Sequence, residues 1–351
     1  METRPTLKDL AEAAGVSYVT VHKALYDKPG VGDTKRREIL RLAQEMHYKA
    51  NDAASAMKRS EIRIAVVIPG GDAPNSFFFK SMWNELEKLE EEYLDFKVFF
   101  AKYPTWNTAE SQKELLKELL KELADRDNIQ GVIINCLNGW MLNEEIQSFS
   151  DRGIPVITLN SDALGVKKLM FLSADNERIG RLAAGIMTFG SGKQEGRTLV
   201  LGGIRLAESL KQCIIGFSSV MQVVEPDNAL DIVYEDEWSD DKLREYLEEY
   251  LEENHSLSGI FSATAAGTYR VCRIVEEMGR GKELCLVGSD AFPELVPYFK
   301  KGILKATIWK DPASQLREAV VMMYHYLIGK QYQINPIRLG VILKENIEDY
   351  V

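Results

Sequence analysis

Residues 6–25 read Thr6-Leu-Lys-Asp-Leu-Ala-Glu-Ala-Ala-Gly-Val-Ser-Tyr-Val-Thr-Val-His-Lys-Ala-Leu25, and this stretch decides how the start of the chain folds. Thr6 is a typical helix N-cap, with Asp9 near the amides of the first turn. Apolar residues then recur at helical spacing until Gly15, which can end the helix without steric cost. Ser17 caps a second helix, whose inner side carries Val21, Ala24 and Leu25. Two short amphipathic helices joined in this way are typical of a helix-turn-helix.

Any pair of packed helices would also fit these twenty residues, so the next segment matters. A third helix is predicted from Asp33 or Thr34 to about His47. Its predicted buried side consists of Ile39, Leu42, Ala43 and Met46, and its predicted exposed basic residues are Lys35, Arg36, Arg37 and Arg41. A short helical run, 52–59, then precedes the first strand of a larger domain.

This order of elements resembles the DNA-binding head and hinge of the lactose/galactose repressor (LacI/GalR) family over residues 6–60. The resemblance implies that the second helix reads base edges in the major groove, while polar side chains contact phosphates. It also implies an apolar hinge side chain, Met57, that enters the minor groove. The residues expected to meet DNA are Thr6, Ser17, Tyr18, Val19, Thr20, His22, Lys23, Thr34, Asn51, Ala54 and Met57. Thr20 fits an ordinary helix-surface threonine about as well.

The length and composition of the chain limit its number of domains and the compartment in which it can work. With 351 residues, 45% of them apolar, the chain can form two or three domains. It has no run of 18 apolar residues, and its start lacks the basic and apolar pattern of an export signal. Four widely spaced cysteines form no CxxC pair, so we expect reduced thiols rather than a zinc site or disulfides. These features favour a cytoplasmic protein without a membrane partner.

The charge distribution concentrates attraction for phosphate at one end of the chain. Residues 1–60 contain 11 Lys and Arg against 8 Asp and Glu, although the whole chain has a formal net charge of −10. A modestly basic head on an acidic body is compatible with DNA binding. Because the head is only weakly basic, we expect a homodimer in which two heads bind one operator.

The rest of the chain alternates strand and helix patterns, beginning with the apolar run 62–68. Such alternation makes doubly wound α/β sheets, and two series predict two parallel-sheet lobes behind the all-α head. This resembles the periplasmic-binding-protein-like (type I) effector domain of the same family. The predicted parts are a head (1–50), a hinge (51–60) and a ligand-binding and dimerisation domain (61–351). We expect an N-lobe of about 61–161 and 291–320, and a C-lobe of about 165–288 and 321–345.

The resemblance also assigns candidate ligand residues. Asn75-Ser-Phe-Phe78 resembles a loop that stacks an aromatic ring on a sugar, and we expect at least one of the two phenylalanines to line the cleft. Asp290 is the best candidate for a hydroxyl acceptor, whereas Lys310 either pairs with it or binds an acidic group of the ligand. Cys213 stands where relatives have arginine. The full candidate set is Asn75, Phe77, Phe78, Asn160, Ser161, Cys213, Trp238, Thr264, Asp290 and Lys310.

Motifs for catalysis are missing from the sequence. It contains no GxSxG, HExxH or GxxxxGK[ST] motif, and its four histidines are far apart. We therefore predict no catalytic residue, no metal and no cofactor. The predicted function is a ligand-controlled DNA-binding regulator, most simply a repressor, with a sugar or sugar derivative as its ligand. The alternatives are a sugar-binding protein without DNA regulation, a scaffold that does not bind DNA, and an enzyme on an α/β scaffold.

Overall fold

The computed structural model of the chain describes residues 7–25, 29–46, 59–71, 76–106, 108–125, 128–191, 196–235, 238–254 and 257–351. The chain divides into two compact units. The first unit comprises Met1–Ser60 with Asp95–Lys97, and it contains the predicted head (1–50) and hinge (51–60). The second unit, called the body here, comprises the remainder. In the described part of the chain, no helix has both the length and the apolar character needed to cross a bilayer.

Three helices make up the head as far as its residues are described: α1 (Leu7–Ala13), α2 (Tyr18–Leu25) and α3 (Asp33–Glu45). Their inner sides meet in one apolar core that contains Leu10, Ala11, Ala14, Val21, Ala24, Ile39 and Ala43. The small alanines let the helices approach closely, while burial of each larger side chain contributes about 1.5–3 kcal/mol. The head is therefore organised by the apolar spacing seen in its sequence.

Carbonyl groups at the C-terminal ends of α1 and α2 accept hydrogen bonds from side chains of α3. Gly15 takes the left-handed conformation (φ 62°) at the turn between the first two helices. Lys35 Nζ donates to the carbonyl of Ala14 at 2.9 Å, and Arg36 Nη1 donates to the carbonyl of Ala24 at 3.3 Å. The prediction that both side chains are exposed was wrong, because they are half-buried and complete the hydrogen bonding of two helix C-termini.

The first lobe of the body is built on a parallel sheet of five strands in the order β2-β1-β3-β4-β5. The strands are β1 (Ile62–Pro69), β2 (Val98–Thr105), β3 (Gly131–Ile134), β4 (Val156–Leu159) and β5 (Met170–Leu172). The helices between them are α4 (Ser76–Tyr93), α5 (Ala109–Asp125) and α6 (Gly139–Asp151). Strand β3 and strand β4 are buried along their whole length, as expected for a sheet covered on both faces.

The second lobe has a sheet of six strands in the order β11-β10-β9-β8-β6-β7, in which only β11 runs antiparallel to its neighbour. Its elements are α7 (Asn176–Ser191), β6 (Arg197–Leu201), α8 (Glu208–Val224), β7 (Ala229–Val233), α9 (Asp240–Glu253), β8 (Leu257–Ser262), α10 (Ala265–Glu277), β9 (Cys285–Ser289), α11 (Val296–Lys300), β10 (Leu304–Trp309) and β11 (Gly340–Ile342). Helix α12 (Pro312–Leu327) packs on the first lobe, against α4 and β4.

The predicted boundaries between the lobes were wrong. Strand β5 was predicted to belong to the C-lobe (165–288), but it pairs with β4 in the first lobe. Strand β10 was predicted to belong to the N-lobe (291–320), but it pairs with β9 in the second lobe. The chain therefore crosses between the lobes near 173–175, near 310–311 and over 328–339. At the first two crossings the alternation of helices and strands continues without interruption, so the sequence pattern does not mark them.

Candidate functional site

A cavity of about 720 Å³ lies between the two lobes, at the carboxyl ends of the strands of both sheets. This is the position at which open α/β sheets bind ligands. Predicted ligand residues that line it are Phe78, Asn160, Ser161, Cys213, Trp238, Thr264 and Lys310. Other side chains of its wall include Trp106, Asn135, Asn138, Glu110, Glu235, Asp240 and Arg270.

The first lobe contributes two buried polar atoms to the cavity wall. Asn135 follows β3, donates from Nδ2 to the carbonyl of Leu159 at 3.0 Å, and is only 1% exposed. Ser161 follows β4 and is 3% exposed. Among the described residues, neither Asn135 Oδ1 nor Ser161 Oγ has a hydrogen-bond partner. Since a buried polar atom without a partner costs free energy, both atoms are suited to hydrogen bonds with a polar ligand.

In the second lobe, Glu235 follows β7 and turns its carboxylate towards the main chain. Its Oε2 accepts a hydrogen bond of 2.9 Å from the amide of Gly203, which has a φ of 70°. A Cβ on Gly203 would lie 2.5 Å from Cγ2 of Thr264, so only glycine fits there. Thr264 itself is the N-cap of α10, with Oγ1 accepting from Gly267 N at 3.0 Å. Its hydroxyl therefore already has a structural role.

An arginine of α10 fixes the segment that carries Trp238. Arg270 Nε lies 2.7 Å from Asp240 Oδ1, and Arg270 Nη2 donates to the carbonyls of Trp238 and Ser239 at 2.7 and 2.8 Å. Lys242 Nζ lies over the indole of Trp238, 4.8 Å from the ring centre. Trp238 is thus positioned as an aromatic wall of the cavity.

Lys310 and Asp290 form a buried ion pair. Lys310 Nζ lies 3.0 Å from Asp290 Oδ2, and both side chains are at most 10% exposed. Burial raises the pKa of Asp290, whereas the ammonium of Lys310 opposes this shift. Asp290 does not line the cavity, so the prediction that it accepts ligand hydroxyls is not supported by its position. Of the two possibilities raised for Lys310, the structure contains the pair with Asp290.

Two predicted ligand residues have other surroundings. Phe77 does not line the cavity, because its ring stacks on Phe292 at 4.1 Å and contacts Tyr269 at 5.5 Å. Phe78 does line it, which agrees with the expectation that at least one of the two phenylalanines would. Asn75 lies outside the described residues.

The head presents an exposed apolar and polar face on α2. Tyr18 and Val19 are 52% and 57% exposed, and Ser17 is exposed beside them. Ser17 Oγ lies 2.9 Å from Thr20 Oγ1 and accepts from Thr20 N at 3.2 Å, so the Ser17 hydroxyl caps the helix. Lys23 is half-buried and Thr34 is exposed. His22 belongs to α2, whereas Thr6, Asn51, Ala54 and Met57 lie outside the described residues.

Two family models match the chain in the same order as its units. The model described as bacterial regulatory proteins, lacI family, matches residues 6–51, and the model described as periplasmic binding protein domain matches residues 64–331. The chain belongs to the lacI family of bacterial regulatory proteins. Its body is a periplasmic binding protein domain, as the resemblance implied.

Curated relatives agree with this membership, and a solved structure has the same fold as the body. The chain is 25% identical over 169 residues to the HTH-type transcriptional regulator MalR of Clostridium butyricum, covering 48% of this chain and 47% of MalR. It is 26% identical to the ribose operon repressor of Bacillus subtilis, covering 61% and 63%. The chain thus matches between about half and two thirds of the length of these curated relatives. The glucose-galactose binding protein GanP of Geobacillus stearothermophilus has the same fold, with a TM-score of 0.71 at 19% identity over 82% of this chain and 99% of GanP.

Several wall residues of this LacI-family cavity were missed by the sequence analysis. Asn135 directly follows β3 and Glu235 lies two residues after β7, so a polar residue at the carboxyl end of a strand was the available signal. Arg270 stands within a helix and had no such signal. In the described part of the chain, no group of three His, Cys, Asp or Glu side chains could hold a metal ion. The predicted lack of a metal and cofactor stays a prediction.

We expect the cavity cysteines to resist alkylation in the native protein. Burial raises the pKa of Cys136 and of Cys213 to about 12, so at pH 8 only about one thiol in 10⁴ is a thiolate. Iodoacetamide at pH 8, followed by mass spectrometry, should modify half-buried Cys285 before either of them. The same reaction in denaturant, where all four thiols are expected to react, is the control. Rapid native labelling of Cys213 would contradict its burial.

Proposed function

We propose that this protein is a transcription regulator that binds operator DNA through its head and a small carbohydrate through the cavity of its body. The observation that carries the proposal is the combination, in one chain, of a helix-turn-helix with an exposed second helix and a two-lobed domain enclosing a cavity of about 720 Å³. Its relatives include transcriptional regulators, and proteins of the same fold include sugar-binding proteins. Such a regulator would work in the cytoplasm.

The exposed face of α2 supports the DNA-binding part of the proposal. Tyr18 and Val19 are apolar or amphipathic side chains that do not belong to the head core, and polar Ser17 and Thr20 stand on either side of them in the sequence. In the major groove, an apolar side chain can meet a thymine methyl while hydroxyl groups contact phosphates. We propose that a homodimer places two heads on a pseudo-palindromic operator, since one weakly basic head binds few phosphates.

The three chain crossings between the lobes support control by a ligand. A ligand that contacts both lobes binds a closed arrangement better than an open one, and it shifts the equilibrium by that difference in affinity. We propose that closure changes the DNA affinity of the head through the hinge, 51–60, which lies largely outside the described residues. The expected coupling is about 1–3 kcal/mol, or roughly 5- to 150-fold in DNA affinity.

The other functions considered from the sequence have less support. We propose that the chain is not an enzyme, because its relatives include transcriptional regulators, and because two acidic side chains of the cavity wall, Asp240 and Glu235, are held in an ion pair and a hydrogen bond. A sugar-binding protein without DNA regulation would not need a helix-turn-helix with a free second helix. Operator binding by the full-length chain separates these possibilities.

We expect the double variant Tyr18→Ala/Val19→Ala to lose sequence-specific DNA binding by about 10- to 100-fold, because each base contact contributes about 1–3 kcal/mol. The full-length wild-type protein is first used to select palindromic duplexes from a random pool, and affinities are then measured by fluorescence anisotropy over a salt series. Wild-type binding should weaken steeply as salt rises. Leu40→Ala, another exposed apolar residue of the head, is the matched control with unchanged affinity.

Three results would count against the proposal. A wild-type protein that selects no duplex is not an operator-binding regulator, and salt-independent binding would exclude a phosphate-based interface. Equal loss in the Leu40→Ala control would assign the effect to the stability of the head instead of to the α2 face.

A further inference from the structure

The first lobe lines the buried part of the cavity with neutral polar groups. Asn135 is 1% exposed and Ser161 is 3% exposed. Among the described residues, neither Asn135 Oδ1 nor Ser161 Oγ has a hydrogen-bond partner. Gln112 holds the main chain here, because its Nε2 donates to the carbonyl of Asn135 at 2.5 Å and its Oε1 accepts from the amide of Leu137 at 3.1 Å. The hydroxyl groups of a sugar ring are neutral donors and acceptors, so they match the two buried atoms.

Two exposed apolar side chains, one from each lobe, line the same cavity. Trp106 directly follows β2 in the first lobe and is 55% exposed. Leu206 lies between β6 and α8 of the second lobe and is 47% exposed. The acidic wall residues Glu110 and Asp240 are exposed as well, so water solvates their carboxylates. Because a wall residue with such exposure lies where the cavity opens to solvent, Trp106 and Leu206 are the apolar part of the cavity rim.

The main chain that carries each rim side chain is fixed by a hydrogen bond. The carbonyl of Trp106 accepts from the amide of Thr108 at 2.8 Å, just before α5. Leu206 lies in a turn in which the amide of Ala207 donates to the carbonyl of Ile204 at 3.1 Å. Since these segments are ordered before binding, a ligand that covers both side chains spends little free energy on ordering the protein. Covering them removes apolar surface from water, which favours binding in proportion to the area.

The cavity is larger than one sugar ring requires. Its volume of about 720 Å³ lies in the upper half of the range, about 300–1,000 Å³, that is typical of pockets for drug-sized ligands. A hexose is smaller than such a ligand, so a ring bound at Asn135 and Ser161 leaves space towards the rim. A second sugar ring would bring hydroxyl groups against Leu206, whose side chain offers them no hydrogen-bond partner. An apolar group fits this part of the cavity better.

Resting on the proposed function, we propose that the ligand is a glycoside with an apolar aglycone. The sugar ring hydrogen-bonds to Asn135 and Ser161 in the buried part of the cavity. The aglycone, an aryl or alkyl group, covers Trp106 and Leu206 at the rim, and an aryl group gains further from contact with the indole ring. Because these two side chains belong to different lobes, the aglycone also adds to the preference of the ligand for a closed arrangement.

The test compares matched glycosides by isothermal titration calorimetry on the full-length protein at pH 7. Each of the gluco, galacto and manno series, in both anomers, supplies the methyl glycoside, the phenyl glycoside and a disaccharide with the same non-reducing ring. In at least one series the phenyl glycoside should bind about tenfold or more tightly than the other two compounds, because it alone buries an apolar ring at the rim.

Two variants test the rim residues. Trp106→Ala should reduce the preference for the phenyl over the methyl glycoside to about threefold or less, and it should leave the affinity for the methyl glycoside within about threefold of wild type. Leu206→Ala should reduce the preference by about two- to threefold, because a smaller contact area is lost. The matched controls, Trp140→Ala and Leu164→Ala, remove side chains that are 74% and 48% exposed but do not line the cavity, and both should keep the preference.

The outcomes separate the apolar aglycone from the proposed function. A phenyl preference below about tenfold in every series, or a disaccharide that binds as tightly, overturns the inference and leaves a sugar-controlled regulator in place. Equal weakening of the methyl and phenyl glycosides by Trp106→Ala overturns it too, because the indole would then act on the sugar ring or on closure. Failure of every compound to bind contradicts the carbohydrate part of the proposed function and the inference with it. The wild-type ranking decides the preference even if a variant does not fold.

Discussion

Gly216→Ala is expected to destabilise the second lobe by about 3 kcal/mol or more, a large effect for one added methyl group. Helices α7 and α8 cross at two glycines. A Cβ on Gly216 would lie 1.9 Å from the carbonyl oxygen of Glu177, and a Cβ on Gly180 would lie 1.8 Å from that of Cys213. Both clashes involve the main chain, so the helices must separate and the core beside Phe217 must open.

Thermal unfolding followed by circular dichroism measures this effect. For a lobe of this size we expect the midpoint of Gly216→Ala to fall by roughly 6 °C or more. The matched control is Gly185→Ala on the same helix α7, where an added Cβ meets nothing within 4 Å. There alanine should be neutral or stabilising by about 0.5–1 kcal/mol, because it restricts the unfolded chain and favours the helix. Equal midpoints for the two variants would contradict the close crossing.

Lys310→Met is expected to cost about 3–5 kcal/mol at neutral pH, because it leaves the carboxylate of Asp290 buried without its cation. The loss should depend on pH. Burial raises the pKa of Asp290, and removal of Lys310 removes the opposing influence. The folded variant then holds a proton that the unfolded chain releases above about pH 4, so its stability falls as pH rises.

Urea unfolding at pH 5 and pH 8 tests this prediction, and the penalty should be smaller at pH 5. In the double variant Lys310→Met/Asp290→Asn the buried charge is gone and much of the stability should return. Asparagine suits this position because Asp290 has a φ of 66°, a conformation that asparagine tolerates. Lys117→Met, which removes an exposed lysine paired with Glu114 on α5, is the control and should leave the unfolding midpoint unchanged. A Lys310→Met penalty that is independent of pH would argue against a charged Asp290.

Local patterns were enough to predict most of the elements of the body. The apolar run beginning at Ile62 became the buried strand β1, and helix α9 buries Leu243, Leu247 and Leu251 at helical spacing. These predictions succeed because a strand covered on both faces must be continuously apolar, and a surface helix must repeat its apolar residues every three to four positions. Both requirements act within a few neighbouring residues.

The membership of each lobe was not predictable in this way. Strand β10 lies in the second lobe and helix α12 packs on the first, although they are separated along the chain by two residues. Which sheet β10 joins depends on its pairing with β9 rather than with a strand of the first lobe, and the local apolar pattern is the same in either lobe. The sequence therefore allowed the number of lobes to be predicted correctly, whereas the predicted boundaries between them were wrong.

The sequence by itself determined the helix-turn-helix, the two α/β sheets and the identity of several cavity residues, because propensity, capping and apolar spacing are local properties. Only the tertiary structure decided that Lys310 pairs with Asp290, that Phe77 stacks on Phe292, and that Asn135, Glu235 and Arg270 meet around one cavity. Those outcomes depend on distances between residues far apart in the chain and on burial, which changes the balance between solvation and pairing of each charge.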